Sequence, residues 1–310
     1  MNGFCECLNI EAWPELKGFL SKGSREKKWV IRPIETGKPV ILEIFLFKQS
    51  HRRYDIEFWS EIIASEIAKI IGIPSPKALC ARDGDKYGIL LKFFLKLVDN
   101  HAVQELREGG DLISAVDPSF DRKKGEKHNI HLIEQVFKHY KKDIIFNIFL
   151  KLLVFDAIIG NTDRHQENWG VILDHEAKTV TLAPAYDNSD CFGREILEAD
   201  IESFLKDDKK LNRYLLRGEP HISWSDDGIV LKKLNHIDFL KQMVGKWPFV
   251  SNYIKELTTF SDQVVTEMLA KLFSIEIRNP RYKISDKRGE FIKKIIIGRR
   301  DLIKREFGLI

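Results

Sequence analysis

The sequence predicts an α+β chain of two lobes, a small sheet-plus-helix lobe over residues 1–95 and a larger, mainly helical lobe over 96–310. Three observations carry this expectation. The first 95 residues hold short β-branched or aromatic runs and one amphipathic stretch. From about residue 100 onward the apolar spacing turns helical. Within that part, residues 144–159 are apolar almost all round, as a helix at the centre of a lobe must be.

In the first lobe, residues 29–32 and 40–48 read as strands. Glu35-Thr36-Gly37-Lys38-Pro39 between them has turn composition, so the pair forms an antiparallel hairpin. Phe58, Ile62, Ile63, Ile67, Ile70 and Ile71 recur at helical spacing, which predicts a helix over 57–71 stopped by Gly72 and Pro74. Residues 78–81 and 87–94 are two more strands around Arg82-Asp83-Gly84-Asp85. In the second lobe, 132–140 and 142–159 are helices, the latter ended by Gly160-Asn161. A hairpin of 169–173 and Thr179–Leu182 follows, and 260–274 and 287–307 are amphipathic.

A hydrophobic share of 44% with 31% charged residues excludes wholesale disorder. The formal charge of +4 is too small to imply a polyanionic partner. Residues 278–306 hold eleven Lys/Arg against four Asp/Glu; that run reads as a solvated helix face, and no direct nucleic-acid contact is expected. Cys5, Cys7, Cys80 and Cys191 form no CxxC pair, which argues for a reducing compartment and against zinc. The stretch 144–159 carries Asn147, Lys151 and Asp156, so it is a buried helix and no membrane span is expected. The start of the chain lacks a basic segment followed by an apolar one, so the protein is expected in the cytoplasm, with export independent of a signal peptide left open.

The densest polar segment is Gly160-Asn161-Thr162-Asp163-Arg164-His165-Gln166-Glu167-Asn168-Trp169, between the buried helix and the hairpin. Phosphoryl transfer from ATP needs a carboxylate to orient the acceptor hydroxyl, oxygen ligands for Mg²⁺, and a Lys on the phosphates held by an acid. Asp163 and Asn168 are five residues apart, the spacing of the base Asp and metal Asn in protein kinases, and Asp187 follows the hairpin. Lys48 ends the run Ile44-Phe45-Leu46-Phe47, and Glu61 lies in the helix after it, with Glu57 a rival one turn earlier. Each residue alone has an ordinary reading. Lys48 is a strand-end cation, Asp163 a cap, Asn168 and Asp187 turn residues, and His165 a hydrogen-bonded structural histidine. The order Lys, Glu, Asp-x4-Asn, hairpin, Asp is what points to a kinase.

On these residues the chain resembles the HipA-like serine/threonine kinases, and among them the compact, stand-alone type. The similar phrases are Phe155-Asp156-Ala157 through Trp169-Gly170, Leu182-Ala183-Pro184-Ala185-Tyr186-Asp187, Phe45-Leu46-Phe47-Lys48, Trp59-Ser60-Glu61 and Gly23-Ser24-Arg25-Glu26-Lys27, from about residue 20 to 190. The resemblance implies a two-lobed protein-kinase-like fold and an ATP- and Mg²⁺-dependent enzyme acting on a Ser or Thr of a protein substrate or of itself. It implies Asp163 as catalytic base, Asn168 and Asp187 as Mg²⁺ ligands, and Lys48 on the ATP phosphates paired with Glu61. Main-chain groups near Lys92, Phe93 and Phe94 would meet adenine, and backbone N–H groups of Gly23 and Ser24 would face the phosphates. It also allows an antitoxin partner. The chain departs from the pattern in three places. The phosphate loop has the single glycine Gly23, Leu20 stands where many relatives carry a regulatory serine (Ser21 and Ser24 flank the loop), and Asn188-Ser189 replaces Phe-Gly after Asp187.

Two other readings stay open. Asn161-Thr162-Asp163-Arg164 and Asp187-Asn188 are also similar to phrases of type II phosphatidylinositol 4-kinases, with the 278–306 segment resting on an anionic surface. Against a lipid kinase stand the lack of a palmitoylatable cysteine cluster and of a strongly apolar inserting loop. The third reading is a non-catalytic, partner-binding member of a toxin–antitoxin pair.

Overall fold

The computed structural model describes residues 6–16, 26–33, 43–50, 54–98 and 101–310. The expected turn at 35–39 and the whole 17–25 segment, with Leu20, Ser21, Gly23 and Ser24, lie outside the described residues. The architecture is α+β. Its first part comprises β1 (Leu8–Asn9), β2 (Lys27–Arg32), β3 (Glu43–Gln49), α1 (Glu57–Ile70), β4 (Ala78–Asp83) and β5 (Lys86–Lys92). These strands form one sheet in the order β1-β4-β5-β3-β2. β2 and β3 pair antiparallel with Val30 opposite Phe45, and β1 runs parallel to β4 with Leu8 opposite Ala81. Alternation along the strands splits the sheet's faces. Val30, Phe45, Phe47, Leu79 and Leu90 pack on one side under Ile10 and Trp13, and Cys80, Tyr87 and Ile89 pack on the other with α1.

A short hairpin of β6 (Leu97–Val98) and β7 (His101–Ala102) leads into the second part. There β8 (Gln104–Glu108) precedes α2 (Gly109–Val116), α3 (Ile130–His139) and α4 (Asp143–Ile159). The hairpin β9 (Gly170–Asp174) and β10 (Thr179–Leu182) follows, and β8 adds to it as a third strand, in the order β10-β9-β8. Then come α5 (Ile201–Lys206), α6 (Asp208–Arg217), α7 (His236–Lys246), α8 (Val250–Leu257), α9 (Asp262–Phe273) and α10 (Asp286–Glu306). α4 is the centre, with Phe149, Leu150, Val154, Phe155, Ile158 and Ile159 fully buried. It ends where Gly160 turns left-handed at φ +71°, a conformation that glycine adopts without a Cβ penalty. Among the described residues no helix is long and apolar enough to cross a membrane.

Only part of the basic run 278–306 is a solvated face: Arg278, Arg281, Lys283, Lys287 and Arg305 are exposed. Phe291, Ile292, Ile295, Ile296 and Ile303 of α10 are core residues, Arg288 and Arg299 are buried among backbone carbonyls, and Arg300 is buried between the Phe260 carbonyl and the carboxylates of Asp262 and Asp301. Arg288 donates to the Gly193 and Ile196 oxygens at 3.0 and 2.5 Å, so this helix fixes the segment that follows Asp187. Charge counting along the sequence hides this, because arginine satisfies several carbonyls at once while its stem packs with apolar neighbours.

Candidate functional site

β3 delivers Lys48 one residue before its end, and α1 brings Glu61 to meet it. The Lys48 Nζ lies 3.3 and 3.5 Å from the two Glu61 carboxylate oxygens and 3.0 Å from Asp187 Oδ1. Lys48 and Glu61 are 7% and 3% exposed, so these charges persist inside the protein because they are paired. β5 can lie against the Lys48 backbone because position 88 is glycine: a Cβ there would stand 2.2 Å from the Lys48 carbonyl oxygen. Asp187 sits at φ +53°, left-handed backbone that Asp tolerates better than most residues.

The rivalry between Glu57 and Glu61 is settled by reach. Glu57 is buried and pairs with Arg194, which also donates to Asp190 Oδ1 at 2.8 Å and lies 5.0 Å over the Tyr54 ring. Glu57 therefore ties α1 to the segment after Asp187, and Glu61 holds Lys48. Other bonds join the same surfaces: Ser60 Oγ donates to the Cys191 oxygen at 3.3 Å and Trp59 Nε1 to the Tyr282 oxygen at 2.9 Å. Glu57→Gln is expected to cost about 1.5–3 kcal/mol of stability, the range for a hydrogen bond to a charged group. Urea melts of the variant and of wild type check this.

The loop after α4 is built from its own polar side chains. Asn161 Nδ2 donates to Asp156 Oδ1 at 3.1 Å, and Asn161 Oδ1 accepts from the Asp163 N–H at 3.0 Å. Asn168 Nδ2 donates to the Asp163 carbonyl oxygen at 2.7 Å, which leaves the amide oxygen of Asn168 for a cation. Burial holds the Asp163 carboxyl above its ordinary pKa, with Asp190 and Asp187 adding to the rise and His165 and Arg194 opposing it. Asn168 and Asp187 together offer oxygen donors only, the set that suits a hard divalent cation. His165 accepts from the Glu167 N–H at 3.2 Å and its ring meets His221 edge-on, a structural placement.

Arg164 organises all of this, and its part was not read from the sequence. It is fully buried and its guanidinium donates to both Asp156 oxygens at 2.6 and 2.9 Å. It also reaches the Asn168 carbonyl at 2.8 Å, the Tyr186 carbonyl at 2.7 Å and Asn188 Oδ1 at 2.6 Å. One side chain thus joins α4, the Asp163–Asn168 loop and the Asp187 segment. The signal was there: Asp156 is a carboxylate in a helix otherwise apolar at its centre, and a buried carboxylate must find a cation.

Of the three residues expected at adenine, two already spend their amides: Lys92 N–H donates to the Lys77 oxygen and Phe93 N–H to the Ile44 oxygen, both at 2.9 Å. The sheet therefore consumes those donors, and the main-chain expectation narrows to the carbonyl groups and the Phe94 N–H. The Phe94 ring stacks on Tyr186 at 5.9 Å, and the Tyr186 hydroxyl donates to the Glu167 oxygen at 3.0 Å. Gly23 and Ser24 lie outside the described residues.

Comparison with known proteins follows the same lines. Residues 15–206 match the model of the HipA-like C-terminal domain, more than half of the chain. A serine/threonine-protein kinase, CtkA of Helicobacter pylori, is 26% identical over 203 residues, which are 61% of this chain and 56% of that protein. The match spans little more than half the length of that relative. The crystal structure of a Helicobacter pylori proinflammatory kinase, CtkA, superposes with a TM-score of 0.76 at 18% identity, covering 98% of this chain and 99% of that one. HipA in a Shewanella oneidensis complex with HipB and operator DNA superposes with a TM-score of 0.53 at 12% identity, covering 96% and 67%. Those likenesses show a shared fold, the two-lobed fold expected from the sequence, and the family match shows descent: the chain belongs to the HipA-like C-terminal domain family.

Proposed function

We propose that this protein is an ATP- and Mg²⁺-dependent protein kinase that transfers the γ-phosphoryl group to a serine or threonine hydroxyl. The observation that carries the reading is Lys48, held between Glu61 and Asp187 within 3.5 Å of both, together with a loop in which Asn168 is hydrogen-bonded to the Asp163 backbone. The relative named serine/threonine-protein kinase supports the acceptor class. The HipA–HipB complex supports an antitoxin partner for this chain too.

Mg²⁺, held by the Asp187 carboxylate and the Asn168 amide oxygen, would neutralise charge on the phosphates. Lys48 turns from Asp187 to the phosphates when nucleotide enters, and Glu61 keeps it aimed. Asp163 accepts the hydrogen bond of the acceptor hydroxyl, orients its oxygen for in-line attack on the γ-phosphorus and takes up its proton, while the bond from the γ-phosphorus to the β–γ bridging oxygen breaks and ADP leaves. Arg164 keeps both acidic segments at fixed separation, so catalysis is positioning and electrostatics. Adenine lies against the Phe94–Tyr186 stack, and Gly23 and Ser24 offer backbone N–H groups to the phosphates.

The raised pKa of Asp163 has two consequences of opposite sign. The base must be unprotonated, so transfer falls as pH drops through that raised value, and the acid limb of the rate profile lies above the ordinary 3.8. The folded protein binds this proton more tightly than the unfolded chain, so stability falls as pH rises from 3.8 through the raised value. Asp163→Asn removes the penalty. Its melting temperature at pH 7 is expected to equal or exceed that of wild type, measured by calorimetry.

One observation favours a lipid acceptor instead: Ile229 and Val230 are 83% and 56% exposed, next to Lys232 and Lys233, an apolar tip that the sequence reading did not anticipate. Incubation with Mg²⁺, γ-labelled ATP, casein and phosphatidylinositol vesicles separates the two. Label on serine or threonine is expected; label in the lipid alone overturns the protein-kinase reading.

A further inference from the structure

A cavity of about 790 Å³ opens directly beside the loop that carries Asp163, with Gly160 and Thr162 in its lining. Its wall is α6. Lys210, Arg213, Tyr214 and Arg217 stand at i, i+3, i+4 and i+7, so one stripe of the helix faces the cavity. Leu211 and Leu215 bury the other side. Arg213 and Arg217 are exposed, and neither has a carboxylate partner among the described residues. Lys210 donates to Ser203 Oγ at 2.5 Å and rides 4.3 Å over the Phe204 ring, with no carboxylate partner among the described residues.

A fourth cation lines the same space. Arg299 is buried, donates to the Ala157 and Leu215 oxygens at 2.7 and 2.9 Å, and has no carboxylate partner among the described residues. Burial pulls its guanidinium down to about 10, still charged at neutral pH. Of the lining acids, Asp190 pairs with Arg194 at 2.8 Å, and Glu195, which accepts from the neutral Tyr214 hydroxyl at 2.8 Å, and Glu219 keep their charge. Lys210, Arg213, Arg217 and Arg299 outnumber those two carboxylates, and a cavity with a surplus of cations favours an anionic ligand.

We infer that this cavity seats an acidic segment of the protein substrate, with carboxylates flanking the acceptor serine or threonine meeting Arg213 and Arg217. The inference rests on the kinase reading of Asp163 and adds the substrate class. Arg213 and Arg217 stand about one helical turn apart on α6, with Cβ atoms ~5–6 Å apart. Alternate residues of an extended peptide are ~6.8 Å apart and residues one helical turn apart ~5.4 Å, so two carboxylates can meet Arg213 and Arg217 together. The carboxylates of Glu195 and Glu219 beside these cations disfavour a uniform polyanion such as nucleic acid.

Fluorescence anisotropy tests this without ATP. The probes are a labelled serine peptide with glutamates two and four positions after the serine, and its glutamine counterpart. At low salt the glutamate peptide is expected to bind about tenfold tighter, as two charge-assisted contacts allow. Arg213→Glu with Arg217→Glu is expected to abolish the preference, and Lys255→Glu, on α8 away from the cavity, to keep it. The paired Gln substitutions give the same reading should the Glu pair fail to fold. Equal binding of the two peptides, a preference that survives the Arg213/Arg217 changes, or displacement by oligothymidylate at lower concentration than by the glutamate peptide would overturn the inference. Because no phosphate moves in this assay, a protein that binds the peptide yet transfers nothing loses the kinase reading and keeps the cavity.

Discussion

Asp187→Asn is expected to lower phosphoryl transfer by about 10²–10³-fold or more, the cost of removing one preorganised electrostatic partner of the reacting phosphates. Asparagine is the informative replacement. It fills the same volume, and it accepts the left-handed backbone at φ +53° more readily than alanine. Lys48 keeps both Glu61 oxygens at 3.3 and 3.5 Å, so the buried ammonium stays paired and the fold holds. The variant is therefore expected to melt within about 1 kcal/mol of wild type while losing activity. Initial rates at saturating ATP, read beside a urea melt, check both halves. Wild-type rates with a folded variant contradict the metal assignment.

Arg164→Ala is expected to act in the opposite way, on the fold first. The change removes every hydrogen bond of a fully buried guanidinium and leaves Asp156, 2% exposed, without its cation. Breaking a buried pair by deleting one partner costs about 3–5 kcal/mol. A domain is stable by about 5–15 kcal/mol in all, so most of the protein is expected to misfold or melt at much lower denaturant. Arg164→Lys does not rescue it, because an ammonium cannot span Asp156, Asn188 and the carbonyls of Asn168 and Tyr186 as the planar fork does. A stability loss under 1 kcal/mol in either variant would refute the role given to Arg164.

What was legible in the sequence was local. The strand ending at Lys48, the helix bearing Glu61, the buried α4 and the hairpin before Asp187 each carry a local apolar signal, a run or a period, and the structure has them within a few residues of the expected bounds. Asp163 and Asn168 sit five apart on one loop, so their closeness follows from chain geometry. What escaped notice was long-range or lacked a period. β8 reads Gln-Glu-Leu-Arg-Glu with a single apolar residue, and it becomes a strand because β9 presents a free edge. Glu57 meets Arg194 across 137 residues, and nothing near either one announces the other. The three buried arginines of α10 looked like surface charge, since composition records the guanidinium and not the carbonyls and carboxylates that surround it. The stripe on α6 needed Gly160 and Thr162, distant in sequence, beside it before it meant a cavity.

The most direct measurement is transfer of label from γ-labelled ATP, with Mg²⁺, by wild type and by Asp163→Asn at nucleotide saturation, with occupancy verified by thermal shift. Label on serine or threonine from wild type, and a loss of about 10²-fold or more in the variant with nucleotide binding intact, is the predicted result. Equal transfer by the two proteins, or none by a wild type that binds MgATP and is offered peptides that occupy the α6 cavity, would contradict it.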